Sequence, residues 1–387
     1  MKEKNKLSHN ILELANFVSV SKEKYNPASG KDFPCVELEH IDKETGILNG
    51  HTRSLLQASI KNRFYKGDVL FGKLRPNLRK YAQPDFDGVC STEIWVLNAD
   101  PKKCSKDFLF YLIQSERFIQ TACKTTGSKM PRADWEFLSQ EPFYLPPLAE
   151  QKKIAAILRT WDEGIEKQQT IINKKRREIS ALTTKIFEKL LRDKKHLCKA
   201  ESFFETITQK NKPELPLLAV TQDKGVIPRD LLDRRVVMPD GSVTGYKVVH
   251  KGDFVISLRS FEGGFEYSNY TGLVSPTYTV LRATKPICDA FYRIYFKSYS
   301  FVGRLSPLVF GIRDGKSIAF RDFGFMEIPY PPVSRQEEVA NALTQLEKSI
   351  SIEERLLESF KIQKRGLMQK LLTGEWRVNV FGNAEAA

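Results

Sequence analysis

The sequence has little cysteine and histidine, and neither residue type is spaced for metal binding. Its six cysteines form no Cys-x-x-Cys pair, and its five histidines are scattered, at positions 9, 40, 51, 196 and 250. Structural zinc sites need cysteine and histidine ligands a few residues apart. We therefore expect incidental thiols and no metal site.

Long apolar runs are also missing. Nowhere do about 18 apolar residues follow one another, as a membrane-spanning helix requires. Residues 1–6 lead into no apolar stretch of the length found in signal peptides. These absences predict a protein without a membrane partner, in a reducing, cytoplasmic compartment.

Signatures of catalysis are absent as well. The sequence has no Gly-x-x-x-x-Gly-Lys-Ser/Thr loop for nucleotide phosphates and no nucleophile-elbow pattern. In known adenine methylases, a residue with an amide or a carboxylate precedes a Pro-Pro-aromatic set. In this chain, Leu145 and Tyr330 precede the two Pro-Pro pairs instead. A nuclease cluster of Asp85, Asp87 and Glu93 is conceivable, but no lysine follows Glu93 at a two-residue spacing. We therefore predict that the chain is not an enzyme and has no cofactor of its own.

Basic residues are in clear excess. The chain has 61 Lys and Arg against 47 Asp and Glu, which gives a net charge of +14. The excess is spread over residues 1–145 and 196–330 and is densest in residues 146–195. Such a balance favours an anionic polymer as partner. On charge alone, a merely soluble basic protein is the alternative.

The main positive feature is an internal repeat with a period of 185 residues. Residues 146–158 (PPLAEQKKIAAIL) recur as residues 331–343 (PPVSRQEEVANAL), and a charged, helix-favouring run follows each copy. Upstream, residues 66–71 align with 251–256 at the same offset. After a one-residue deletion, Leu74-Arg75 aligns with Leu258-Arg259. A period close to domain size indicates two tandem copies of a module made of a variable domain and a helix.

The repeat predicts the domain limits. We expect variable domains at 1–145 and 196–330, spacer helices at 146–195 and 331–374, and a tail at 375–387. Short β-like runs mixed with helical patches at 107–122 and 288–301 favour an α+β fold for the variable domains.

Both long helices carry an apolar stripe with heptad spacing in the same register. The stripe residues are Ile154, Leu158, Trp161, Ile165, Ile172, Ile179, Leu182 and Ile186 in the first copy and Val339, Leu343, Leu346, Ile350, Leu357, Phe360, Leu367 and Leu371 in the second. Gln168, Lys175, Glu353 and Lys364 interrupt the stripes, and such polar positions can fix pairing and orientation. A helix of about 43 residues spans roughly 60 Å, so we predict that each long helix acts as a spacer. An amphipathic helix packed on its own domain is the alternative for either copy alone.

Cations gather just beyond a predicted strand of the first domain. Lys73, Arg75, Arg79 and Lys80 lie in a stretch interrupted by glycine and proline, and Ser257, Arg259 and Ser260 occupy the equivalent place in the second domain. Arginine and lysine pair with guanine O6 and N7 in the DNA major groove, so these residues are candidate base contacts. Second-tier candidates lie beside glycines in later loops: Lys129, Arg132, Arg313 and Lys316. Solvated surface charge is the competing interpretation.

The ordered set of motifs resembles the DNA specificity subunit of type I restriction-modification systems. The order is variable domain, Pro-Pro-x-x-x-Gln helix, variable domain, Pro-Pro-x-x-x-Gln helix, and the resemblance covers nearly the whole chain. The shorter motifs are residues 73–76 (KLRP), 257–261 (SLRSF), 274–278 (VSPTY) and 371–374 (LLTG). One position departs from the pattern, because Arg335 stands where the first copy has Glu150.

This resemblance implies two α/β target recognition domains separated by two long conserved helices, which form an antiparallel coiled coil in a pseudo-two-fold repeat. Each domain would read one half of a bipartite site in double-stranded DNA, with a gap set by the helices. Candidate residues for helix pairing and subunit docking are Gln151, Leu158, Trp161, Ile165, Ile172, Gln336, Leu343, Leu346, Ile350 and Leu357.

The resemblance also implies partner proteins. Two modification subunits would bring S-adenosylmethionine and methylate adenine, and restriction subunits would use ATP and magnesium. The rival hypothesis is a coiled-coil scaffold whose flanking domains bind proteins. Salt dependence separates the two, since DNA binding weakens steeply as salt rises.

Overall fold

The chain divides into two compact units, each holding one variable domain and part of both long helices. Unit 1 combines residues 1–169 with 356–387, and unit 2 comprises residues 170–355. The computed structural model describes residues 10–124, 130–232, 243–257, 264–305 and 318–379.

Unit 1 contains two larger sheets and a strand pair. A four-stranded sheet has the order β2-β10-β7-β8, a five-stranded sheet has the order β3-β6-β9-β4-β5, and β1 pairs with β11. The strands are β1 (Ile11–Glu13), β2 (Val18–Val20), β3 (Lys24–Tyr25), β4 (Pro34–Val36), β5 (Thr52–Arg53), β6 (Lys61–Phe64), β7 (Val69–Gly72), β8 (Tyr81–Ala82), β9 (Gly88–Cys90), β10 (Ile94–Ala99) and β11 (Pro142–Tyr144).

Unit 2 contains the same kind of four-stranded sheet. Its order is β13-β20-β17-β18, and the pairs β12-β21, β14-β15 and β16-β19 accompany it. The strands are β12 (Leu197–Lys199), β13 (Phe204–Ile207), β14 (Leu218–Thr221), β15 (Gly225–Pro228), β16 (Lys247–Val249), β17 (Phe254–Ile256), β18 (Phe265–Tyr267), β19 (Gly272–Val274), β20 (Thr279–Ala283) and β21 (Glu327–Pro329).

The registers of the two four-stranded sheets confirm the internal repeat. Leu97 of β10 lies opposite Val69 of β7, and Leu281 of β20 lies opposite Phe254 of β17. These are the residues that the sequence repeat aligns. The two sheets are therefore copies of one antiparallel design.

The repeated Lys-Gly-Asp motif forms the turn that leads into β7 and β17. Gly67 and Gly252 have φ angles of +78° and +101°, which favour glycine over residues with a Cβ. The Asp68 carboxylate accepts a hydrogen bond from the Tyr65 backbone at 2.9 Å, and Asp253 accepts one from His250 at 2.8 Å. The motif thus recurs because the turn needs both a left-handed glycine and a carboxylate that satisfies a backbone N–H.

Short helices cover the sheets. They are α1 (Lys106–Leu112), α2 (Glu116–Ala122) and α3 (Trp135–Gln140) in unit 1 and α5 (Asp289–Tyr295), α6 (Tyr299–Leu305) and α7 (Phe320–Gly324) in unit 2. Each of the two predicted helical patches is broken in the middle. Ser115 and Ser298 stand at the breaks, where each side-chain oxygen accepts a backbone N–H three residues further on, so a new helix begins.

Two long helices follow the prolyl pairs, as the sequence predicts. They are α4 (Leu148–Arg192) and α8 (Val333–Leu372). Pro147 and Pro332 donate no backbone N–H, and their carbonyls accept the first hydrogen bonds of α4 and α8. Beyond Leu372, Gly374 adopts a left-handed φ of +77°, the conformation that commonly ends a helix.

In each unit α4 and α8 run antiparallel. In unit 1, Leu158 shares a hydrophobic core with Leu371, and Asp162 forms an ion pair with Lys364 at 2.5 Å. In unit 2, Lys175 pairs with Glu353 at 2.6 Å, and further along α4 Phe187 shares a core with Leu343. As residue numbers rise along α4, those of the α8 partners fall. The antiparallel pairing expected for the family is therefore confirmed.

Each variable domain has its own aromatic core, to which the long helices contribute. In unit 1, Phe71, Phe108 and Phe118 are completely buried together with Ile154 of α4. In unit 2 the core is richer in rings, and Phe296 meets both Phe254 and Phe323 edge to face. Because the helix stripes complete these cores, the helices and the domains are stabilised together.

Candidate nucleic-acid interface

The predicted cationic stretch of the first domain forms a tight turn at the end of β7. A 3₁₀ turn spans Pro76–Leu78, and the arginines on either side, Arg75 and Arg79, have φ angles of +52° and +50°. Left-handed backbone at a residue other than glycine costs roughly 1–2 kcal/mol and is found mostly where the surrounding structure enforces it. We call residues 73–80 the cationic turn.

Backbone hydrogen bonds hold the cationic turn from two sides. The Lys73 N–H donates to the Glu93 carbonyl at 2.9 Å, and the Lys73 carbonyl accepts the Ala133 N–H at 2.8 Å. The Arg75 N–H donates to the Pro131 carbonyl at 2.8 Å. The segment before α3 thus runs along the turn as a short antiparallel bridge and fixes its conformation.

Several of the predicted cations have acidic or carbonyl partners in the same unit. Arg132 donates from its Nε to the Glu93 carboxylate at 2.9 Å. Arg79 binds Glu116 directly and lies 3.8 Å from Glu44, and this arginine lowers the pKa of the Glu116 carboxyl. Lys80 donates to the Leu38 carbonyl. These contacts hold the turn to neighbouring segments.

Lys73 and Arg75 differ from those cations. Lys73 is half-buried and Arg75 is exposed. Among the described residues, neither side chain has an ion pair or hydrogen-bond partner. Of the cations predicted around this turn, these two therefore present charge that the described structure leaves unneutralised.

The equivalent place in unit 2 is described only in part. The Ser257 N–H donates to the Gly264 carbonyl at 2.9 Å, which places Ser257 at the end of the β17–β18 hairpin. The other predicted contacts, Lys129, Arg259, Ser260, Arg313 and Lys316, lie outside the described residues.

The glutamines of the two Pro-Pro-x-x-x-Gln motifs are completely buried inside their own units. The Gln151 carboxamide accepts the Ser105 N–H at 2.9 Å and donates to the carbonyls of Lys103 and Pro146, both at 2.7 Å. Gln336 accepts the Cys288 N–H and donates to Pro331, both at 2.8 Å. Each glutamine thus ties the start of a long helix to the start of a short one, α1 or α5.

The predicted stripe residues face the cores or the helix seam to different degrees. Buried members are Leu158, Ile172, Leu343 and Leu357, and half-buried members are Trp161, Ile165, Leu346 and Ile350. Trp161 meets Phe360 of α8 edge to face, with ring centroids 6.0 Å apart. These eight stripe residues are thus buried or half-buried, whereas Leu182 of the longer stripe is 42% exposed.

One ion pair at the start of α4 was not predicted. Glu150 is buried, and its carboxylate accepts two hydrogen bonds from Arg377 at 2.9 Å and 2.7 Å and one from the Val378 N–H at 3.1 Å. The counterpart in unit 2, Arg335, is exposed and pairs with Glu338 one turn along the same helix. The only sequence signal was the departure from glutamate at position 335, since the pairing spans 227 residues.

Two further features concern metal sites and membrane-spanning helices. Among the described residues, no group of three or more potential ligands is arranged for a metal ion, and Glu93 of the conceivable nuclease cluster pairs with Arg132. Within the same residues, none of the helices combines the length and apolar character needed to cross a membrane.

Comparisons with known proteins point to one family. Residues 19–174 match the family described as type I restriction modification DNA specificity domain. The EcoDI specificity subunit of a type I restriction enzyme from Escherichia coli is 30% identical over 159 residues, covering 40% of this chain and 34% of that protein. The MjaVIII specificity subunit from Methanocaldococcus jannaschii is 25% identical over 321 residues, covering 75% of each chain.

A solved structure shares the fold. The structure comes from work on the complex assembly and conformational transition of the type I R-M system, with a TM-score of 0.66 and 19% identity. The match covers 95% of this chain and 98% of that one. The chain is thus an α+β protein with a duplicated sheet-and-helix module, and its sequence is similar to those of type I restriction enzyme specificity subunits. The resemblance found in the motifs is confirmed.

Proposed function

We propose that this chain is the DNA-reading subunit of a type I restriction-modification complex. Each variable domain reads one half of a bipartite site, and the long helices set the unread gap between the halves. The observation that carries the proposal is the duplicated four-stranded sheet with the cationic turn at the end of β7. A rigid turn that presents unneutralised cations beyond a strand suits contact with a DNA groove and its phosphates.

The catalytic steps belong to partner proteins in this proposal. Two modification subunits bind S-adenosylmethionine and methylate adenine, restriction subunits use ATP and magnesium, and this chain supplies sequence recognition without catalysis. Residues 1–145 and 196–330 are the reading domains, 146–195 and 331–374 the spacer helices, and 375–387 the tail. The match of residues 19–174 to the specificity-domain family and the basic net charge of +14 support a role in DNA recognition.

Mapping modified adenines in host genomes with and without this chain tests the proposal. We expect one interrupted word to lose methylation when the chain is deleted and to regain it when the gene is restored. Methylation that does not change, or that falls on a short uninterrupted word, would refute the proposal.

Binding at several salt concentrations separates the proposal from a protein-binding scaffold. The complex of the full chain with its modification subunits should bind a duplex containing the mapped word, and log K should fall linearly with log salt as counterions leave the DNA. A scaffold without DNA specificity would bind the mapped word and a scrambled duplex equally.

A further inference from the structure

The cations of the cationic turn fall into two structural groups. Arg79, Lys80 and the adjoining Arg132 are bound to Glu116, the Leu38 carbonyl and Glu93 within unit 1. Arg75 is exposed, and among the described residues its side chain has no polar partner. The first group has a sufficient explanation in the folding of the turn, whereas the exposed guanidinium of Arg75 does not.

The backbone conformation of Arg75 also indicates a binding role. Its φ of +52° is unfavourable for a residue with a Cβ, and asparagine or glycine would adopt it more readily. The hydrogen bond from the Arg75 N–H to Pro131 and the following proline, Pro76, hold this conformation in place. A strained residue with an exposed side chain and no internal partner is typical of a binding position.

The internal repeat indicates which part of DNA Arg75 contacts. Arg75 aligns with Arg259, whereas the neighbours differ between the copies: Gly72 and Lys73 stand against the single residue Ser257, and Asn77 aligns with Phe261. Two domains that read unlike words need different side chains at base edges. A residue that both copies share, and that the fold of unit 1 does not require, fits a chemical group present in every DNA site, which is the phosphate.

We propose that Arg75 binds a backbone phosphate and sets the register of the first domain on DNA, while base recognition lies with the positions that differ, Lys73 first among them. The inference rests on the proposed function and reverses the expectation that Arg75 pairs with guanine. Arg75 is thus a positioning residue for recognition. An arginine makes charge-assisted, bidentate hydrogen bonds to phosphate oxygens, and a lysine retains much of that attraction as a point charge.

The test uses the full chain assembled with its modification subunits, and duplexes with the mapped word, with single base changes in the first half-site, or with an unrelated sequence. Arg75→Ala should weaken binding to all of them by a similar factor, and the slope of log K against log salt should become less steep by about 0.9. Arg75→Lys should restore most of the affinity and the slope. Lys73→Ala should instead reduce discrimination at one base pair by roughly 5- to 150-fold.

Two further variants keep the test decisive. Arg75→Gly accommodates the left-handed backbone while removing the guanidinium, so it should behave like Arg75→Ala even if alanine disturbs the turn. Strand β10 begins at Ile94, which pairs with Gly72 beside the cationic turn. Lys102 is exposed and follows the opposite end of β10, so Lys102→Ala removes one charge away from the turn. This control should leave the slope unchanged.

The results separate this inference from the proposed function. If Arg75→Ala and Arg75→Gly weaken only the cognate duplex, with an unchanged salt slope and no rescue by lysine, Arg75 reads a base and the inference is wrong. If the wild-type complex shows no preference for any interrupted word, the proposed function itself fails.

Discussion

At the scale of single residues, the two motif glutamines show why a short motif recurs in both modules. Each carboxamide is completely buried and joins the first turn of a long helix to the start of a short one. Only a side chain that both donates and accepts can satisfy these backbone groups at once. The glutamine is therefore part of the domain interior, and any contribution to docking acts through the helix that it positions.

Gln151→Ala should destabilise unit 1 by about 3 kcal/mol, because backbone groups of Ser105, Lys103 and Pro146, which are buried or part-buried, lose their partner. All four tryptophans, at positions 95, 135, 161 and 376, lie in unit 1, so tryptophan fluorescence during chemical denaturation reports on that unit. Gln336→Ala, the matched variant in unit 2, should leave the fluorescence transition unchanged. A shift of that transition as large as the one caused by Gln151→Ala would contradict this assignment.

A second residue-scale prediction concerns pH. Burial raises the pKa of Glu266 to about 7, against the opposing effect of Lys297 beside it and with a smaller contribution from Asp223. Because the folded state holds this proton more tightly than the unfolded state, the group's contribution to stability is complete at low pH and is lost as pH rises from about 4.5 to 7. Stability curves of Glu266→Gln and wild type should differ in slope in this window. Parallel curves would show that Glu266 titrates normally.

At the scale of elements, the chain beyond α8 turns back and completes unit 1. Arg377 and Val378 bind the buried carboxylate at the start of α4, Lys153 donates to the Asn379 carbonyl at 2.9 Å, and Val378 packs on the core. At the start of α8, Arg335 pairs instead with Glu338 of the same helix, and the described residues of unit 2 show no clasp of this kind. The two copies therefore share a sheet order but differ in how the start of the long helix is secured.

Arg377→Ala should lower the stability of unit 1 by about 2 kcal/mol, since Glu150 would remain as a buried charge with one backbone donor. Adding Glu150→Gln should recover part of the loss by removing that charge. Arg335→Ala, which removes an exposed pair, should cost less than about 0.5 kcal/mol. Tryptophan fluorescence during denaturation measures the two unit 1 variants, and far-UV circular dichroism, which detects both units, measures Arg335→Ala. If Arg377→Ala lowered stability no more than Arg335→Ala does, the Arg377–Glu150 pair would not be stabilising unit 1.

At the scale of the whole molecule, the proposed function assigns the long helices the role of a ruler. Four residues inserted within 165–185 of α4, matched by four in the facing part of α8, should lengthen the pair by about 6 Å, near two base-pair steps. Methylation mapping should then find the same two half-sites separated by a longer gap. An unchanged gap would exclude the ruler, while loss of all methylation with intact partner binding would show that the helices fix orientation as well as distance.

The sequence by itself determined the features that depend on local pattern. The repeat, the helix limits near the prolyl pairs and Gly374, the apolar stripes and the position of the cationic turn follow from spacing and from residues with restricted backbones. Tertiary structure decided which charges are neutralised: Arg79 meets Glu116 37 residues away, Arg132 meets Glu93 39 residues away, and Arg377 meets Glu150 227 residues away. An ion pair depends on where the folded backbone places two side chains in space, and the composition of a loop contains no record of partners brought in from distant segments.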